Sequence, residues 1–178
     1  MSKEGLLVNQ RSTMKIAILG VGNTLLKDEG IGVRVVRQLE NDYTFPPGIT
    51  LIDGGTDGPH LTSLMADFDE IIVIDAVEGG ETPGTLYRFT LDQISFDIPT
   101  HLSIHEMGVL EALKEVRLLG KEPIVNFIGV EPKDISPWGM ELSPVVEEKV
   151  PEIITLVMKE LSERGVKASH IVSKKESV

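Results

Sequence analysis

Apolar and polar positions alternate along the chain in two rhythms. Lys15–Gly20 (KIAILG) is a strand-sized apolar run that ends in glycine. Gly30–Glu40 follows with Ile31, Val35, Val36 and Leu39 at helical spacing. Ile49–Asp53 reads as a second strand, closed by Gly54-Gly55, and Leu61–Asp67 as a short helix. Glu70–Ala76 (EIIVIDA) is the most apolar strand, so it is expected at the centre of a sheet, covered on both faces.

Between this strand and the next, Thr85–Thr90, stands only the Gly- and Pro-containing stretch Val77–Gly84. A parallel crossover needs about a dozen residues, so the fourth strand should run antiparallel to the third. A helix is expected over Ile104–Leu119, with Val109, Ala112, Leu113 and Val116 on one stripe. Ile124–Glu131 is the fifth strand. Pro144–Arg164 is the last helix, with Val146, Val150, Ile153, Val157 and Leu161 inward and Gly165 as its stop. The pattern predicts an α/β protein: a three-layer α/β/α sandwich around a five-stranded, mostly parallel sheet with one antiparallel strand. A single domain should occupy 15–165, with an N-terminal extension over 1–14 and a polar C-terminal tail over 166–178.

Composition narrows the chemistry. The 178 residues carry 28 Asp+Glu against 17 Lys+Arg, a net charge of -11, and no cysteine. Without Cys there is no disulfide scaffold, thiolate zinc site, iron–sulfur cluster or cysteine nucleophile. The acidic balance argues against nucleic acid and anionic lipid as partners. No targeting or membrane-spanning segment stands out, so a cytoplasmic protein is expected.

In such a sheet, ligands sit beyond the carboxyl ends of the strands near a switch in strand order. The first strand runs into Gly20-Val21-Gly22-Asn23-Thr24-Leu25-Leu26-Lys27-Asp28-Glu29-Gly30. Gly20 and Gly22 fit the first two positions of a dinucleotide fingerprint, but Leu25 stands at the third. Asp28 and Glu29 would repel a pyrophosphate at the helix start. Read locally, this acidic pair is an N-cap plus an acid complementing the helix dipole. The second strand ends in Asp53-Gly54-Gly55-Thr56-Asp57-Gly58, either a simple turn or a place where another chain approaches closely. Asp75, at the end of an apolar strand, must be paired, coordinated or at an exposed rim. His105 lies in Ser103-Ile104-His105-Glu106, a capping box that puts it in a first helical turn. There the dipole favours neutral imidazole, the form that binds metal.

His101, outside that helix, His60 after Pro59 and His170 in the tail carry weaker signals. Trp138 fits a packing aromatic, or a partner surface if exposed. Glu29, Asp75 and His105 thus converge from three loops at one sheet edge. Two carboxylates and one imidazole suit a borderline divalent ion and leave coordination positions open.

These segments resemble the [NiFe]-hydrogenase maturation endopeptidases. The resemblance is carried by GVGNTLLKDEGIGVRVV (20–36), DGGTDG (53–58), IIVIDAV (71–77), SIHEMGV (103–109), Gly129-Val130-Glu131-Pro132 and Leu142-Ser143-Pro144. It implies a phosphorylase/hydrolase-like fold and a protease of the type classed as aspartyl. Such an enzyme would remove a short C-terminal peptide from the hydrogenase large-subunit precursor after nickel insertion. It implies that Glu29, Asp75 and His105 contact the metal and carry the catalytic site, and that Asp53, Gly54, Gly55 and Thr56 recognise substrate. Ni2+ would arrive on the substrate, while Zn2+ or Cd2+ could occupy the site artificially. The metal would polarise the scissile carbonyl or activate a water, or else serve as a handle while a carboxylate acts as general base. Two other readings compete: a dinucleotide-binding oxidoreductase, and a nickel-sensing chaperone that binds the precursor without hydrolysis.

Overall fold

The computed structural model describes residues 14–56, 58–93 and 104–171. Five strands form the main sheet: β1 (Ile16–Val21), β3 (Ile49–Gly55), β4 (Glu70–Ala76), β5 (Leu86–Thr90) and β6 (Ile124–Val130). Their order is β3-β1-β4-β6-β5. Four run parallel, and β5 pairs antiparallel with β6. The short 77–84 link does reverse the chain. It does not seat β5 beside β4, because β6 takes that place through the more complete parallel register.

Alternation along the strands divides the core into two layers. Ile16, Ile18, Ile72, Ile74 and Ile128 meet α1 (Ile31–Asp42) and α5 (Val150–Glu163) on one face. Ala17, Leu19, Ile71, Val73 and Phe127 meet α2 (Gly58–Met65) and α3 (Ile104–Leu118) on the other. All seven residues of β4 are buried, as the unbroken apolar run requires. The three-layer sandwich is therefore the one the periodicity predicts. The short second helix starts earlier than the pattern suggests, at Gly58, and the last helix is broken. Residues 144–163 form α4 (Pro144–Glu147) and then α5, not one helix. Pro151 explains the break: it has no N–H to continue α4 and restricts the residue before it, so it fits only a new first turn.

Residues 166–171, placed by sequence in a polar tail, return to the domain. Ser169–His170 (β7) pairs antiparallel with Tyr43–Thr44 (β2), and the His170 ring packs edge-on against Tyr43 at 4.9 Å. At the amino end of the sheet, Glu70 is buried and accepts from Arg164 Nε at 2.5 Å and Asn126 Nδ2 at 2.7 Å. Arg164 also bonds Glu160, which pairs with Arg88 on β5. This network ties β4, β5, β6 and α5 far from the crevice. Among the described residues, no helix is long and apolar enough to cross a membrane.

Strand order reverses at β1. The chain leaves it through α1 on one face for β3, then returns through α2 on the other for β4. The crevice thus opens at the carboxyl ends of β1 and β4. Gly32 sets how closely α1 covers it: a Cβ there would lie 2.1 Å from the Ile74 carbonyl oxygen.

Candidate active site at the switch point

Between β1 and α1 the chain makes a 3-10 turn, Lys27–Gly30, that packs against β4. Gly22 governs its position. Its φ is +121°, and a Cβ on it would fall 1.8 Å from the Glu29 carbonyl oxygen and 3.7 Å from Asp75 Oδ1. Only a residue without a side chain lets the Glu29 backbone approach this closely, and the Asp75 carboxylate lies within van der Waals reach of the same position. Asp75 is 2% exposed, and its Oδ1 accepts the Ala76 N–H at 2.8 Å. Glu29 is half-buried, with Oε2 shielded from solvent. By the alternation of β4, Asp75 faces the layer of α2 and α3 together with Ile71 and Val73.

The structure therefore brings the Glu29 backbone and the Asp75 carboxylate together about Gly22. His105 lies in the first turn of α3 by its backbone, and its side chain is outside those described. Ser103, the expected cap, and His101 fall outside the described residues. His60 and His170 are exposed and stand apart. Among the described residues, no three His, Asp or Glu side chains form a metal cage by themselves.

The acidic pair does not cap α1 as its local pattern predicts. Gly30 is the N-cap, and no side chain bonds there. Asp28 is instead fully buried and acts across the molecule. Its Oδ2 accepts from the N–H groups of Lys133 and Asp134, each at 2.9 Å, and from Ser143 Oγ at 2.8 Å. Its Oδ1 accepts the Ser143 N–H at 2.6 Å. These bonds fasten the 131–143 loop to the turn that carries Glu29. Lys27 adds an ion pair to Asp134 at 2.5 Å, and its ammonium holds that carboxyl well below the usual carboxylate range.

Glu131 plays the same part for the loop after Asp75. Its Oε2 accepts from Gly79 N at 2.9 Å, from Glu81 N at 3.2 Å and from the Tyr87 hydroxyl. Burial first, then this carboxylate, pushes the Tyr87 phenol up to about 12. Sequence reading gave Asp28 only a capping role and Glu131 only a place at a strand end. No local signal marks either, because their partners lie 44 to 115 residues away.

Asp53 sits at the end of β3 and is tied down. Arg37 Nη2 and Nε both donate to its Oδ2, at 2.9 and 3.2 Å. Gly54 is buried against Leu19, Gly55 has φ +46°, and Thr56 is exposed. Asp53, Gly55 and Thr56 line a hollow of about 180 Å³ that also touches Gly22 and Arg37. They thus border the crevice rather than stand within it.

The model of the hydrogenase maturation protease family (HycI) matches residues 33–160. The hydrogenase expression/formation protein HupD of Bradyrhizobium diazoefficiens is 36% identical over 157 residues, covering 87% of this chain and 82% of that protein. The hydrogenase 2 maturation protease of Escherichia coli K12 is also 36% identical over 157 residues, covering 87% and 95%. The solved E. coli hydrogenase maturating endopeptidase HybD superposes with a TM-score of 0.82 at 35% identity, covering 89% of this chain and 98% of its own. The [NiFe] hydrogenase maturation protease HybD of Thermococcus kodakarensis gives 0.70 at 30% identity, covering 83% and 99%. This chain belongs to the hydrogenase maturation protease family, a family of hydrolases.

Proposed function

We propose that this protein is the endopeptidase that trims the C-terminal peptide from a [NiFe]-hydrogenase large-subunit precursor once nickel has been inserted, and that it reads the nickel through Glu29, Asp75 and His105. The observation that carries the reading is the meeting of the Glu29 turn and the Asp75 carboxylate about Gly22, at the sheet's switch point. Asp75 already accepts the Ala76 N–H, and an ionised carboxylate has lone pairs to spare for a divalent cation. The donor set is two carboxylates and an imidazole, with no thiolate anywhere in the chain. Such a set grips nickel only weakly, so the soft ligands must come from the precursor. The metal is then part of the substrate, and holding it fixes the scissile bond against the protease.

Two rivals lose ground. A dinucleotide's pyrophosphate would sit at the start of α1, where the acidic turn Lys27–Gly30 stands and Leu25 replaces the third fingerprint glycine. A chaperone without hydrolysis would be an exception in a family of proteases.

The test is precursor processing by Glu29→Gln, Asp75→Asn and His105→Ala, on nickel-loaded and nickel-free precursor. Loss of cleavage in the variants, and cleavage of loaded precursor only, are expected. Full activity in all three variants would refute the site. Equal rates with and without nickel would refute recognition through the metal.

A further inference from the structure

A second recess runs along the outer side of α1. It has a volume of about 380 Å³. Lys27, Arg34 and Arg37 wall one side, and Met140 and Leu142 belong to the other. In a chain of net charge -11, this lining carries three cations and a single acid, Asp42. Lys27 and Arg37 already hold Asp134 and Asp53, whereas Arg34 is exposed and makes no ion pair among the described residues.

Trp138 stands two residues from Met140. It is 86% exposed and has φ +69°, a backbone region that bulky side chains avoid. The conformation is held from outside. Trp138 N and Gly139 N both donate to the Leu25 carbonyl at 3.1 Å, and Lys27 N donates to Gly139 O at 2.8 Å. Leu25 and Met140 are exposed beside it, at 46% and 67%. A rigidly fastened, solvent-facing aromatic next to a cationic recess is a recognition feature, since rigid aromatics and arginines dominate binding energy at interfaces.

The recess is also continuous with the crevice. Its wall residues Thr24 and Arg37 line the hollow of about 180 Å³ as well, and that hollow reaches Gly22 beside Asp75.

We infer that this recess is a second recognition subsite for the precursor polypeptide, one that does not involve the metal. It takes a segment presenting a carboxylate next to an apolar side chain: the carboxylate meets Arg34, and the apolar group packs on Trp138 and Met140. The occupant follows from charge complementarity and from continuity with the crevice. The inference rests on the proposed function and adds to it a reading of the polypeptide itself.

The test is steady-state processing of nickel-loaded precursor by full-length Arg34→Glu, Trp138→Ala and Arg34→Lys. Arg34→Glu and Trp138→Ala should each raise KM by about tenfold, with kcat within about twofold of wild type. Arg34→Lys should recover most of the loss, because it restores the charge. The Arg34→Glu defect should shrink at about 0.5 M salt, where exposed charges are screened, and the Trp138→Ala defect should not. Wild-type KM in both variants, or a fall in kcat alone, overturns the subsite. Binding of nickel-free precursor, which should not be cleaved, to the wild-type protein separates the two proposals, because this subsite does not involve the metal. If wild type never cleaves the loaded precursor, the function falls; the subsite is then judged on whether Arg34→Glu weakens that binding by about tenfold. Unchanged binding, or none to begin with, overturns it.

Discussion

Asp28→Asn is the most informative single change outside the crevice. The side chain keeps its shape and loses one acceptor and the charge. In its best orientation the amide oxygen takes the Oδ2 seat and keeps Lys133 N, Asp134 N and Ser143 Oγ. The amide NH2 then faces the Ser143 N–H, donor against donor. One charge-assisted bond is lost, worth about 1.5–3 kcal/mol, and three others fall to neutral strength, about 1 kcal/mol less each. The neutral side chain no longer bears the desolvation of a fully buried carboxylate, which returns roughly 2 kcal/mol. The net cost is about 2–4 kcal/mol. In a chain of this length that lowers Tm by about 4–16 °C. Circular dichroism melts read the global effect, and hydrogen exchange at the Lys133, Asp134 and Ser143 amides reads the local one. A Tm within about 1 °C of wild type, with those three amides as protected as before, would refute the view that Asp28 is the tie between the 131–143 loop and the Glu29 turn.

Other expectations follow from the same structure. Gly22→Ala places a Cβ against the Glu29 carbonyl in a left-handed backbone, so it should destabilise by about 3 kcal/mol or more and abolish precursor processing; Gly120→Ala, also at positive φ but with nothing within 4 Å, should cost only about 1 kcal/mol by urea denaturation. In a Tyr43→Phe background, where Tyr87 is the remaining tyrosine, tyrosinate absorbance should rise with a midpoint at about 12, and a midpoint at the ordinary 10.0 would contradict the Glu131 contact. The raised value means that the fold favours the neutral phenol. Its contribution to stability is therefore complete below pH 10 and is lost as pH rises through about 12. Tyr87→Phe should cost about 1–2 kcal/mol, since Glu131 keeps its two backbone donors.

What the sequence could disclose depended on how far the deciding interaction reaches. The apolar runs of β1 and β4 announce strands covered on both faces, and the nine residues between β4 and β5 are few enough to force a reversal of direction. Those are local facts. That β6 inserts between β4 and β5 is decided by pairing with a strand more than 30 residues downstream of β5. The β2–β7 ribbon has two residues on each side, too few to show a period of two. Pro151 was visible, yet the inward positions Val146, Val150, Ile153 and Val157 keep a near-helical rhythm across the break, so periodicity hid it. At the amino end of β4, Glu70 is buried, and the Arg164 that satisfies it arrives from the end of the last helix.

Asp28 and Glu29 show the limit most clearly. They are adjacent acids in one loop, and no composition or spacing rule separates them. The 3-10 turn does, because successive side chains in it point about 120° apart. Asp28 is sent into the 131–143 loop, where three amides and a hydroxyl receive it, and Glu29 takes no part in those bonds. The turn itself depends on Gly22 at φ +121° and Lys27 at φ 51°, neither of which a sequence pattern reveals. The two acids therefore divide one local motif: Asp28 closes the scaffold, and Glu29 is the one proposed to serve the crevice. A substitution at either should report which role it held: at Asp28 through stability and loop exchange first, at Glu29 through processing with the fold intact.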